Sequence, residues 1–334
     1  MALIRHHGFD EGSSVFPAWI SGAILTRVAG RTGNCAHLGA NATLQWVTPA
    51  VLATYITGFA IRTAALTTNN QIAFMEGSVT HITLRQNASG GIDVIRGVAG
   101  GTVIGSTPNG VLTAAAFGYL EAKIIVSDTV GAVTLKLNEA TVLTLTGVDT
   151  RNAGTGAGID TVQITTATAG STDVDDLYVC DATGAANNDF LGDCQVLTRL
   201  PSGNGSSTQW LGSDGNSVDN YALVNETSPS SAEYVGSSTS GQRDLLAVTD
   251  LPATPTYTVL AYKETVYAAK SDAGTPPSFR LVQKGNAGAI RTEAMAGLST
   301  VYALLDGAEQ ITDPDGSALT TAKINAMEIG YDIP

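Results

Sequence analysis

Residues 119–127, YLEAKIIVS, alternate along the chain. Leu120, Ala122, Ile124 and Val126 fall on one face, and Tyr119, Glu121, Lys123 and Ile125 on the other. That period of two predicts a strand. A turn at SDTVGA follows, then VTLKL, a short NEA turn and TVLTLTG, so the segment reads as a three-stranded meander. SVTHITLRQ, the turn NASGG and IDVIRG predict a hairpin upstream. IDTVQIT and DVDDLYVCD predict two strands downstream. Helical spacing is almost absent; TTAKINAM, with a threonine cap, predicts a single turn. Many short strands joined by glycine-rich turns predict an all-β chain of antiparallel, jelly-roll-like β-sandwiches.

The pattern breaks after DFLGDCQVLTRL, where the polar run PSGNGSSTQWLGSDGNS begins. Runs this polar read as linkers or surface loops. The expected organisation is therefore two sandwiches in tandem, 1–197 and 198–334, with Gln195–Leu200 as a strand leaving the first. The second is expected to be built from TYTVLAYKETVYAAKSD, SFRLVQKG, TVYALL and AMEIGYDIP. No repeat period points to a solenoid.

Composition sharpens this picture. Charged residues are only 14% of the 334, and 37 glycines with abundant Thr, Ser and Asn supply the polarity that turns and strands use. The formal net charge of −13 and the lack of a Lys/Arg cluster exclude a nucleic-acid partner. The stretch AVLATYITGFAIRTAAL is interrupted by Arg62 and threonines, so no membrane span is expected. The N-terminus carries no secretory apolar core before Arg5, which predicts synthesis in the cytoplasm without an export signal.

The densest chemistry lies at DVDDLYVCDATGAANNDFLGDC, with six aspartates and two of the three cysteines. Asp173, Asp175 and Asp176 are the calcium candidates, because hard cations take carboxylate oxygens. Their spacing lacks the sharp glycine turn of a calcium loop, and Leu177, Tyr178 and Val179 run on as a strand. The competing reading has Asp173 and Asp175 solvating the loop before that strand. Cys180 and Cys194 are either free buried thiols, like Cys35, or one bridge, and no zinc spacing occurs. GTGAG at 154–158 precedes a strand, whereas a phosphate loop must open a helix. DPDGS at 313–317 matches a tight turn. No nucleophile elbow appears, and the Glu-x-Asp-x-x-Glu strand of sandwich glucanases is missing. No catalytic residue and no cofactor are expected.

GFDE near the start, YLEAKIIVSDTVGAVTLKLNEATVLTLTGVDT, DDLYVCDATGAANNDFLGD and the terminal NAMEIGYDI resemble a tailed-bacteriophage virion protein type. Its first domain is similar to a concanavalin/laminin-G sandwich. The resemblance implies a structural component of the particle (tail, neck or collar, fibre or capsid decoration) found in the virion and carrying no catalytic residues. Its expected partners are other copies of itself, with a trimer favoured, and neighbouring virion proteins. The alternative from the residues is an adhesin that binds host-surface glycan, which needs an exposed aromatic platform. Trp46 lies in the strand-like ATLQWVT and reads as core, which leaves Trp210, in the polar run, as the candidate platform.

Overall fold

The computed structural model describes residues 3–11, 16–66, 70–152, 156–168, 170–273, 279–295 and 298–334. The chain divides into two compact units. One holds residues 1–10 and 19–196; the other holds 11–18 and 197–334, so a short N-terminal segment groups with the second unit.

The first unit contains β1 (Leu3–His7), β2 (Ile20–Ala29), β3 (Asn34–Leu52), β4 (Thr54–Thr63), β5 (Gln71–Glu76), β6 (Val79–Gln86) and β7 (Ile92–Arg96). It continues with β8 (Thr102–Ser106), β9 (Gly118–Ile125), β10 (Gly131–Leu137), β11 (Ala140–Val148), β12 (Ile159–Thr165) and β13 (Thr172–Cys180). Their antiparallel order is β11-β10-β9-β4-β13-β3-β12-β5-β6-β7-β8, with β1 beside β13 and β2 beside β3. One long strand turns this path into two layers. The first residues of β3, Ala36–Leu38, pair with β13, whereas residues from Thr43 to Leu52 pair with β12. Between them Asn41 adopts φ 55, and the Thr166 hydroxyl bridges the bend, donating to Gly39 O and accepting from Ala42 N at 2.9 Å.

The layers meet through aromatic side chains. Trp46 on β3 packs edge-on against Phe59 on β4 (5.5 Å between centroids), and Tyr55 on β4 packs against Phe74 on β5 (6.0 Å). The indole N–H of Trp46 donates to Tyr55 Oη at 3.1 Å, so neither polar tip is stranded in the core. The expected meander forms as β9, β10 and β11. Its Asn138–Glu139 turn has both residues at positive φ (48° and 67°), the conformation whose twist suits a two-residue hairpin. The expected hairpin forms as β6 and β7.

The second unit contains β14 (Pro201–Thr208), β15 (Leu211–Gly212), β16 (Val235–Gly236), β17 (Arg243–Val248), β18 (Thr265–Ala268), β19 (Phe279–Lys284), β20 (Ile290–Met295), β21 (Ala303–Asp306) and β22 (Glu328–Asp332). A five-stranded antiparallel sheet runs β14-β17-β22-β19-β20, and β15-β16 and β18-β21 form two ribbons. Trp210, Leu246, Phe279, Leu281, Tyr331 and Ile333 make its core, with Val235 and Val266 from the ribbons packed on them. The one described α-helix, α1 (Thr321–Asn325), has Thr320 as its cap, accepting from Lys323 N at 3.2 Å.

Two sequence expectations fail here. The polar run PSGNGSST is not a loop but edge strand β14, while Gln195–Leu200 is not a strand. An edge strand needs no apolar face, and β14 is held by backbone pairing to β17 and by Ser206, whose N–H donates to Glu328 Oε2 at 3.0 Å. Within 256–272, only Thr265–Ala268 is a strand, beside an isolated bridge from Tyr262 to Gln310. Alternation favours strands, but pairing needs a partner with matching length, and β21 has only four residues.

Candidate functional site

The aspartate-rich stretch is strand β13, and every one of its nine residues is buried. It runs between β4 and β3, with β1 beside its far end. The aspartates do not solvate a loop. They are built into a sheet and each has its oxygens taken by protein groups.

Asp173 lies next to His37 and Arg62 across the sheet. The His37 Nδ1–H donates to its Oδ1 at 2.5 Å, and Arg62 Nε donates to its Oδ2 at 2.6 Å. Asp175 faces the GRTG turn that closes β2 onto β3. Its Oδ2 accepts from the backbone N–H groups of Arg31 (2.8 Å) and Thr32 (3.3 Å), and its Oδ1 from Asp176 N (2.8 Å). Gly30 allows this approach, since a Cβ there would stand 2.5 Å from Asp175 Oδ2. Burial, then the neighbouring Asp176 charge, pushes the Asp175 carboxyl up to about 7 despite those three donors.

Asp176 takes φ +52, where the register with β4 shifts between Asp175 and Tyr178. This bulge turns its side chain toward Arg31, whose Nε donates to Oδ2 at 2.8 Å. Thr32 Oγ1 and Val196 N donate to Oδ1 at 3.0 and 2.7 Å. Burial raises the Asp176 carboxyl, opposed by the Val196 N–H and Arg31. Burial also works against the Arg31 charge, but Asp193 and Asp176 outweigh it and raise the guanidinium further. Arg31 also donates to Cys194 O and stacks 4.9 Å from the Tyr119 ring centroid.

A buried acid from another strand completes the arrangement. Glu121 on β9 accepts from the Tyr178 hydroxyl (2.5 Å) and from Gly192 N (2.9 Å), while Leu191 N donates to Tyr178 Oη (3.1 Å). Residues 189–196 are thus strapped across the sheet by acids from two strands. This explains why Tyr119 and Glu121, on the face opposite Leu120 and Ala122, are also buried.

This is the setting of the three calcium candidates, Asp173, Asp175 and Asp176. Their oxygens are spent on Arg31, Arg62, His37 and backbone N–H groups, and no group of three or more metal-capable side chains assembles among the described residues. Cys35, Cys180 and Cys194 are free thiols. Burial and then nearby acids hold all three above their ordinary pKa, with Cys35 and Cys194 pushed up to about 12. Thiols so protonated are poor nucleophiles.

The glycan reading of Trp210 is corrected. Its side chain is core, 7% exposed, with Tyr331 at 4.5 Å and Phe279 at 6.4 Å between ring centroids, and its indole N–H donates to Gln242 O at 3.3 Å. Trp46 is core, as its strand pattern indicated. His7 is buried edge-on against Phe9 and Trp19, and His81 accepts from Asn152 N at 3.2 Å. The GTGAG stretch lies partly outside the described residues. Sequence reasoning did not single out Arg31, Arg62 or Glu121. The two glycines of GRTG were the only local signal for Arg31, and nothing in the chain points from it to Asp176, 145 positions away.

No protein-family model matches the chain, and no curated protein matches it. Among solved structures it is similar to domain 4 of AbnA, a GH43 extracellular arabinanase from Geobacillus stearothermophilus, in complex with arabinotriose. That similarity has a TM-score of 0.39 and 15% identity over 54% of this chain and 92% of that one. It is also similar to the VIP36 exoplasmic/lumenal domain in its Ca2+/Man-bound form (TM-score 0.38, 9% identity, 59% and 99% covered). A third is the Caenorhabditis elegans galectin LEC-6 (TM-score 0.31, 12% identity, 40% and 88% covered).

Proposed function

We propose that this chain is a structural component of a bacteriophage particle, acting through contacts with its own copies and with other virion proteins and not through catalysis. The resemblance in the sequence supplies the particle. The observation that supports a contact role is β11, ATVLTLTGV, at the margin of the first unit's sheet. It is nine residues long and carries no charge, in a chain with a net charge of −13. Copies so charged repel at long range and meet most easily where surface is neutral. Ala140, Thr141, Thr144 and Thr146 are exposed there. Register shifts near Val142 and Gly147 bend the strand, so its edge is poorly suited to endless strand addition. Contacts then run through side-chain faces, which fits a closed ring, with three copies favoured.

The test has two parts. Antibody labelling of intact particles by electron microscopy is expected to place the chain on the virion. Light scattering over a salt series is expected to show association that strengthens as salt screens the net charge. A chain absent from purified particles and monomeric at high salt would refute the reading.

A further inference from the structure

The β18–β21 ribbon stands outside the strand order of the second unit's five-stranded sheet, and Val266 packs it onto that unit's apolar core. It is short, running from the pair Thr265–Asp306 to the pair Ala268–Ala303. A small, separately paired element opens at lower free energy than the sheet beneath it.

The ribbon is rooted on a buried acid. Glu264 directly precedes β18, and its backbone O accepts from Gly307 N at 2.8 Å, which closes the ribbon's end. Its carboxyl takes hydrogen bonds from the Gln283 side chain on β19 and from the Gly330 N–H on β22. The other oxygen, Oε2, is buried and has no hydrogen-bond partner among the described residues.

The groups around Glu264 do not offset a charge. From β20, Glu293 adds a second acid, whose oxygens accept from Ala308 N at 2.8 and 2.9 Å. From β22, Tyr331 brings a buried hydroxyl that is itself without a hydrogen-bond partner. The Tyr262 hydroxyl donates to Gln283 Oε1 at 3.1 Å and accepts from Arg291 at 2.9 Å. Arg291 is otherwise spent on Thr312 and on Asp313 O, and Lys263 pairs with Asp306 at 2.7 Å. Burial therefore holds the Glu264 carboxyl well above the usual range, against the Gln283 and Gly330 hydrogen bonds and with the Glu293 charge adding to it. The closed ribbon keeps Glu264 as the neutral acid, because a carboxylate there would have one oxygen without water or a donor.

We propose that the β18–β21 ribbon is a strap released by rising pH, with ionisation of Glu264 freeing it from the sheet and uncovering the core beneath Val266. The sign follows from proton linkage. In the open ribbon the carboxyl is hydrated and titrates at its ordinary value, about 4.3. The closed state is favoured fully below that value and loses its advantage as pH rises toward the higher value of the closed form. Between the two, the opening equilibrium grows about tenfold per pH unit.

Hydrogen exchange of the full chain followed by mass spectrometry, from pH 5 to pH 9, tests this, with each rate divided by the intrinsic rate at that pH. Peptides spanning 262–268 and 303–308 are expected to lose protection at least about tenfold between pH 5 and pH 8, while those of β17 and β19 keep theirs. Glu264→Gln keeps the size of the side chain and cannot ionise, so its ribbon is expected to hold constant protection across the series. Glu264→Met, equally unable to ionise, is expected to give the same flat profile without relying on the amide's hydrogen bonds. Wild-type protection that does not change with pH, a pH dependence that survives in both variants, or a loss that strikes β17 and β19 equally would each overturn the proposal.

Discussion

Replacing Arg31 by Met keeps an unbranched stem of similar reach and removes the charge. Asp176 then remains fully buried, since its side chain is 0% exposed, without the cationic partner that stood at 2.8 Å. Removing one member of a buried pair costs about 3–5 kcal/mol, because the other charge is left uncompensated. Two terms pull in opposite directions here. The contact with the Tyr119 ring is lost too, adding up to about 1 kcal/mol. Thr32 Oγ1 and Val196 N still donate to Asp176, which softens the loss. The bond to Asp193 adds little because that carboxylate is 42% exposed. A net cost of about 3 kcal/mol follows, and for a unit of this size that lowers its Tm by roughly 6–12 °C.

The pH dependence carries the decisive sign. Asp176 already sits above the usual carboxylate range through burial, and losing Arg31 raises it further. A carboxyl raised in the folded state contributes stability that is full below its unfolded pKa and is lost as pH rises through the folded one. The variant's deficit should thus be larger at pH 8 than at pH 5, since a carboxyl held higher takes up its proton earlier as pH falls. Calorimetric melting of Arg31→Met and wild type at both values measures it. A deficit below about 2 °C at pH 8, or one equal at both pH values, would refute the argument that a buried ion pair holds the turn.

Three further outcomes are expected. Gly33→Ala places a Cβ 1.9 Å from Asp10 Oδ1 at φ +58 and disturbs the Asp10 bond to Asn34 N; a cost of about 2–3 kcal/mol by denaturant titration is expected. Trp210→Ala should cost about 3–5 kcal/mol in the second unit's transition, as expected of a core residue. A chelator should leave the melting temperature within about 1 °C, whereas a drop of several degrees would reveal a cation bound to the native state.

The sequence by itself determined the elements whose signals are local. The alternation of YLEAKIIVS and the NEA turn specify β9 to β11, because a period of two and a pair of positive-φ residues leave few other conformations. The threonine cap of α1 and the core role of Trp46 were legible for the same reason. Where the signal was not local, it misled. PSGNGSST looks like a loop, since its strand character comes from the pairing supplied by β17 and not from its own side chains. Trp210 sits in a polar run, yet Tyr331, more than a hundred residues later, covers it. Asp173, Asp175 and Asp176 show the limit most clearly. Their density was visible at once, but whether a carboxylate binds a metal, faces water or pins a turn depends on what stands within 3 Å of its oxygens. Here those neighbours are His37, Arg62, Arg31 and Val196, brought from distant segments by the order of the strands. Only the tertiary structure could decide that, because hydrogen bonds act over ångströms in space and not over positions in sequence.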